Sequence, residues 1–270
     1  MHNIKSNFDI IFDICKSIFK DDVFDDGNFF KYPNKPKMSD IQLVALSLTA
    51  ESLSIDSENH LFNKLKHEYF DDFFVLIDRR NYNRRRKKLA CFISEIGLKV
   101  NNITNPNCAK FIVDSMPLPI CKNARKMRTT ICTDNLECLP ATGYHAISKA
   151  YYYGFKMHII TSVEGIPVTV AISPANMADI DFLKFDEILD ISDCQLIGDK
   201  GYISEPVQMS LFETKISQLD DQFMVKRNYA KTSAGLLSRL ASKTAAVATL
   251  QFLNFSKQKS LNKLKTALAA

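Results

Sequence analysis

The sequence predicts an α/β (α+β) protein: a helical N-terminal part, a mixed-sheet core and a helical C-terminus. Three observations carry that prediction. Apolar residues recur at helical spacing through the first hundred positions. From about residue 108 the pattern changes to short β-branched and apolar runs bounded by Gly and Pro. Two of those runs end in an aspartate, Phe111-Ile112-Val113-Asp114-Ser115 and Leu196-Ile197-Gly198-Asp199-Lys200-Gly201-Tyr202.

In the helical part, Ser39-Asp40-Ile41-Gln42 fits a capping box, with Ser39 at the N-cap and Gln42 three residues on. It opens the apolar run Ile41, Leu43, Val44, Leu46, Leu48. A second helix is expected over about 58–77, where Leu61, Leu65, Tyr69 and Phe73 fall on one face. Residues 79–88 follow, with seven basic side chains in ten positions and Tyr82 between them. Arg84, Arg85, Arg86 and Lys87 are therefore expected to contact DNA, and solvated helix faces are the plainer reading. A helix-turn-helix is compatible with this segment, although no glycine-containing turn marks one. The first domain is taken as residues 1–105.

In the core, residues 110–114 read as a short buried strand. Residues 155–162 and 168–173 read as an antiparallel pair joined through Gly165 and Pro167. An amphipathic helix is expected over 179–190 and another buried strand over 194–198. That β-β-β-α-β order is what a ribonuclease-H-like sheet requires. Its first and fourth strands lie side by side, which would bring Asp114 and Asp199 together across 85 positions. The core is taken as residues 106–231. A helix is expected from Ser204, with Pro206 in its first turn. Residues 232–270 read as a basic amphipathic helical tail.

Bulk properties narrow the function. The chain has 270 residues, 46% apolar and 24% charged, with only 8 Gly, a globular composition. Its longest apolar runs fall far short of the roughly 18–20 residues a membrane helix needs, so no membrane partner is expected. The first 20 residues do not read as a signal peptide. Seven cysteines without a CxxC pair suggest reduced thiols in a cytoplasmic protein, and zinc is not expected. The net charge of +5 is unevenly divided: −6 over residues 1–78, +11 over 79–128, −8 over 129–214 and +8 over 215–270. Two basic blocks flanking an acidic one suit a polyanion partner.

Two carboxylates at the ends of neighbouring strands can hold divalent cations that act on a phosphate. The plainer readings are a turn residue before Pro117 for Asp114 and an Asx turn before Gly201 for Asp199. His158 reads as a packed or locally bonded strand residue rather than a ligand, and His145 is likewise set aside.

The chain resembles bacterial insertion-sequence transposases of the Asp-Asp-Glu class, and within them the insertion-sequence family numbered nine-eight-two. Segments that carry the likeness include Pro36-Lys37-Met38-Ser39-Asp40, Tyr82-Asn83-Arg84-Arg85-Arg86 and Val113-Asp114-Ser115-Met116-Pro117. Others are Tyr153-Gly154-Phe155-Lys156, Ser173-Pro174-Ala175-Asn176, Ile197-Gly198-Asp199-Lys200-Gly201-Tyr202 and Lys226-Arg227-Asn228-Tyr229-Ala230-Lys231. The resemblance implies a ribonuclease-H-like core, two Mg²⁺ ions with Mn²⁺ as a substitute, and cutting and joining of double-stranded DNA at terminal inverted repeats and target sites. It further implies a homodimer when two ends are paired, and a nucleoid-associated location. Asp114 and Asp199 match the first and second catalytic acids, and Lys200 and Tyr202 are placed to touch a phosphate beside the metals. Asn176 fixes a turn or contacts DNA. Lys226, Arg227 and Tyr229 combine phosphate binders with an aromatic ring.

The third acid departs from the family pattern. Leu211-Phe212-Glu213-Thr214-Lys215-Ile216-Ser217-Gln218-Leu219 nominates Glu213, only 14 positions after Asp199. A continuous helix over 204–213 would carry Glu213 roughly 13–15 Å from its start, too far to share ions with Asp199 unless the chain doubles back. Glu205 and Asp220 are alternatives. If two segments are joined here, the core lacks one strand. Two readings then stand: a shortened, weakly active transposase, or a catalytically dead remnant that only binds DNA.

Overall fold

The computed structural model describes residues 3–73, 76–182, 194–198, 219–227 and 229–268. Five helices open the chain: α1 (Ile4–Ile18), α2 (Asp40–Ser52), α3 (Glu58–Glu68), α4 (Arg79–Lys88) and α5 (Ala90–Thr104). Local chemistry sets their starts. Ser39 and Gln42 form the expected capping box on α2, and Ser57 and Asp78 cap α3 and α4. The α3 helix stops at Glu68, short of the expected 77; Tyr69, its C-cap, leaves the helical region. Phe73 packs instead edge-on against Phe8 of α1, with ring centroids 5.1 Å apart.

The sheet contains β1 (Lys110–Cys121), β2 (Ala141–His145), β3 (Ala150–Ser162), β4 (Pro167–Pro174) and β5 (Gln195–Gly198), with α6 described over Asp179–Phe182 before β5 and the rest of the helix expected over 179–190 outside the described residues. The hairpin turn at Gly165 takes a φ of +84°, which glycine adopts without strain. The spatial order is β2-β3-β1-β5, and β4 also pairs with β3. β2 lies antiparallel to the start of β3 (Gly143 opposite Tyr152), and β4 to the remainder (His158 opposite Ala171). β1 is antiparallel to β3 and parallel to β5. The sheet is thus mixed, with the first and fourth expected strands adjacent as in a ribonuclease-H-like core. β2 is a strand beyond the expected set, and β1 and β3 run longer than the sequence suggests.

Side chains of β1 alternate between two clusters, as the pleat requires. Ile112, Met116 and Leu118 enter a large core that also takes in α1, α2, α5 and the last helix. Phe111 and Val113 enter a smaller one with Ile160, Val168 and Phe182. Gly97 lets α5 press on β4: a Cβ there would lie 1.9 Å from the Pro167 carbonyl oxygen.

The C-terminal helix α7 (Ser233–Ser256) lies within residues 232–270, the stretch that reads as a basic amphipathic helical tail. It is buried on nearly every side, between α2, α5 and β4. The physical reason is its composition. Ala241, Ala245, Ala246, Ala248, Ser238 and Ser242 are small enough for close helix approach, and Ser242 reaches Ser47 of α2 at 3.1 Å. Lys243 is turned inward and satisfied by Glu51 at 2.7 Å and by the Phe223 carbonyl. Among the described residues no helix is long and apolar enough to cross a membrane.

Candidate active site and nucleic-acid interface

The site begins with two strand ends. In the β1–β5 register, Val113 lies opposite Gly198. The residue before Asp114 is therefore level with the residue before Asp199. Asp114 itself is half-buried, and its Oδ1 accepts the Ser115 backbone N–H at 2.6 Å. By strand alternation it shares the sheet face of Ile112 and Met116, opposite Ile159. Asp199, Lys200, Tyr202, Glu205 and Glu213 lie outside the described residues. Asp220 is described, and it pairs with Lys226. Among the described residues no three His, Cys, Asp or Glu side chains gather as a metal site.

On the opposite sheet face, beside Asp114, lies a polar network the sequence reading missed. Ser115 Oγ donates to Asp179 Oδ1 at 3.1 Å, and Lys156 Nζ donates to the same oxygen at 2.9 Å and to the Met177 carbonyl at 2.8 Å. The network ties β1 and β3 to the first residue of α6. His158, opposite Ser115 in the register, is buried between Ser173 Oγ at 2.8 Å from Nε2 and the Phe182 ring, which stacks on it at 3.7 Å. Burial pushes its pKa down to about 4. His158 is thus a packed, locally bonded strand residue, and His145 bonds Ser148 through Nδ1 at 2.7 Å. The sequence signals for the network were the Val113-Asp114-Ser115 and Tyr153-Gly154-Phe155-Lys156 segments, which say nothing of Asp179.

The basic segment of α4 divides between surface and interior, and two of the residues expected to contact DNA, Arg85 and Arg86, pack toward the bundle. Arg85 is buried, donating to Asp40 at 2.5 Å and to the Met38 carbonyl at 2.6 Å. Arg86 is buried beside Glu58 at 3.2 Å. Tyr82 is buried as well, under Phe62. Helical period explains the split: adjacent residues 85 and 86 take the bundle side, while 84, 87 and 88 point to solvent. Exposed Arg84 and Lys88 line a cavity of about 780 Å³ with Lys37 and Tyr32. Lys87 is exposed, its Nζ 3.5 Å from Thr232 Oγ1. In the C-terminal block, Lys226, Arg227 and Tyr229 are all exposed; Arg227 lies 3.9 Å from Asp56, and the Tyr229 hydroxyl 3.4 Å from it. Asn176 is exposed in the turn after β4.

A family model described as a transposase DDE domain matches residues 105–250, from the residue after α5 to well inside α7. No curated protein and no solved structure matches the chain. The match covers more than half the length and includes the β1–β5 pair with its two flanking aspartates, so this chain belongs to the DDE-domain transposases.

Proposed function

We propose that the protein catalyses metal-dependent strand cleavage and strand transfer at the ends of an insertion sequence, as a member of the family numbered nine-eight-two. The observation that carries this reading is the parallel pairing of Val113 with Gly198, one residue before each aspartate. Asp114, Asp199 and Glu213 are the proposed metal ligands, and carboxylates are the donors that hard cations such as Mg²⁺ or Mn²⁺ take. The donor chemistry and the half-buried position of Asp114 fit such an ion. When bound, two such ions activate an attacking oxygen and stabilise a leaving one in an in-line displacement. The chain's own residues hold and orient the DNA. Lys200 and Tyr202 engage a phosphate beside the acids, Ser115, Lys156 and Asp179 brace the strand that presents Asp114, and exposed Arg84, Lys87, Lys226, Arg227 and Tyr229 meet the backbone. Double-stranded DNA carrying the terminal repeats and the target is the partner, a homodimer pairs two ends, and the protein works at the nucleoid.

The 14-residue spacing from Asp199 to Glu213 favours a second reading, a catalytically dead remnant that only binds DNA. One assay separates them: purified protein, Mg²⁺ or Mn²⁺, and DNA bearing the element's ends. Strand cleavage lost on Asp114→Ala, Asp199→Ala and Glu213→Ala supports the enzyme. Salt-sensitive binding without metal-dependent cleavage supports the remnant.

A further inference from the structure

The two cationic segments, residues 79–88 and 226–231, are far apart in sequence, yet they wall one cavity of about 340 Å³. Arg79, Arg86 and Lys87 come from α4, and Lys231 and Arg239 from the C-terminal side. The single carboxylate among the lining residues, Glu58, is already engaged by Arg86 at 3.2 Å and by the Asn83 amide at 2.8 Å. The cavity is therefore strongly positive. Two helices open onto it by their N-termini: α3, capped by Ser57, and the 24-residue α7, capped by Thr232. Backbone N–H groups at such ends favour anions.

A second, independent feature points to a ligand. Arg86 and Arg239 are each more than nine-tenths buried, line the cavity, and carry an Nε–H with no hydrogen-bond partner among the described residues. Both guanidinium groups are held in place, Arg86 by Glu58 and Arg239 by the Asp56 carbonyl, so each adds fixed positive charge to the wall of the cleft. Arg239 also donates to the Asp56 carbonyl at 2.6 Å and lies 5.6 Å from the centroid of the Tyr229 ring. Tyr229 is 62% exposed, so a large aromatic surface stands open at the rim, backed by a cation.

We infer that this cleft holds a backbone phosphate of a DNA strand, with an unpaired base lying on Tyr229. The inference rests on the DNA partner proposed above, and it adds where a splayed strand is held. A free inorganic anion would use the buried arginines but would have no use for the exposed ring or for Arg79 and Lys231 at the rim. A strand uses all of them.

The test is fluorescence anisotropy with the full chain in EDTA, over a range of KCl concentrations, on a blunt duplex and on the same duplex with a single-stranded tail. Arg79→Ala with Lys231→Ala changes only exposed side chains. It is expected to lower the slope of log affinity against log salt by about 2. Tyr229→Ala is expected to weaken binding of the tailed DNA roughly tenfold and to weaken the blunt duplex by clearly less. Lys257→Ala with Lys259→Ala, exposed after α7, keeps the wild-type slope and affinity. The inference is overturned if the Arg79/Lys231 variant keeps the wild-type slope, if Tyr229→Ala acts equally on both DNAs, or if the wild type binds neither. Metal is absent throughout, so the outcome is separate from catalysis. Cleavage abolished by Asp114→Ala alongside unaltered cleft variants would sink this inference and spare the proposed activity, and weakened cleft variants without any cleavage would do the reverse.

Discussion

Charged side chains are used in opposite ways in the helical part and at the sheet. Among the helices they serve structure: Asp40–Arg85 and Glu51–Lys243 are buried pairs, each joining two elements. At the sheet, Asp114 and the Ser115–Lys156–Asp179 network are only half-buried. Pairing offsets the desolvation of a buried charge, but losing one partner strands the other. A half-buried carboxylate costs the fold less and keeps part of its surface in solvent. Local charge density therefore does not by itself separate scaffold from site in this molecule.

The sharpest break of that contrast is Glu51→Ala. It leaves Lys243 buried beside one backbone carbonyl and should cost about 3–5 kcal/mol in chemical denaturation. Glu51→Leu with Lys243→Met, which removes both charges at similar volume, should recover most of the loss.

The next effect is on the sheet side, at His158. Its folded pKa of about 4 lies below the ordinary 6.5, so between those values the unfolded chain binds a proton that the folded chain does not. Stability from this group is complete above pH 6.5 and is lost as pH falls toward 4, by roughly 3 kcal/mol in all. Urea midpoints measured from pH 7 to 4 should show the decline, and His158→Gln should flatten that part of the curve.

Gly97→Ala probes the seam between the two regions. The added methyl meets the Pro167 carbonyl and should cost about 1–3 kcal/mol, read as a lower Tm. The smallest stability effect is expected at the proposed ligand. Asp114→Asn keeps an acceptor for the Ser115 N–H and should change stability by less than about 1 kcal/mol, while abolishing any metal-dependent cleavage. A large destabilisation there would place Asp114 with the structural charges.

What the sequence made legible follows from the range of the interactions. The Ser39–Gln42 box spans three residues and was readable outright. The β3–β4 hairpin and the β1–β5 neighbourhood followed from apolar runs and element order. The inward turn of Arg85 was not readable, because its partner Asp40 lies 45 positions away. Burial of α7 was hidden for another reason: its Ala, Ser and Thr residues give no apolar stripe, and only the neighbours it packs against make it core. β2 was missed because Ala141-Thr142-Gly143-Tyr144-His145 lacks alternation; it forms along β3, where Gly143 fits close to the Ala175 carbonyl. Asp114 and the level of its neighbour strand could be read in advance, whereas the Lys156–Asp179 bridge depended on a turn that no motif announces.

The central claim, that Asp114 and Asp199 share one cation, is open to a direct measurement. Fe²⁺ substituted for Mg²⁺ and treated with ascorbate and peroxide generates radicals that cut the polypeptide near the bound ion. Two cuts are expected, one around Asp114 and one around Asp199, both lost in Asp114→Asn. Cutting at only one of these segments, or a pattern unaltered by the substitution, would contradict the claim.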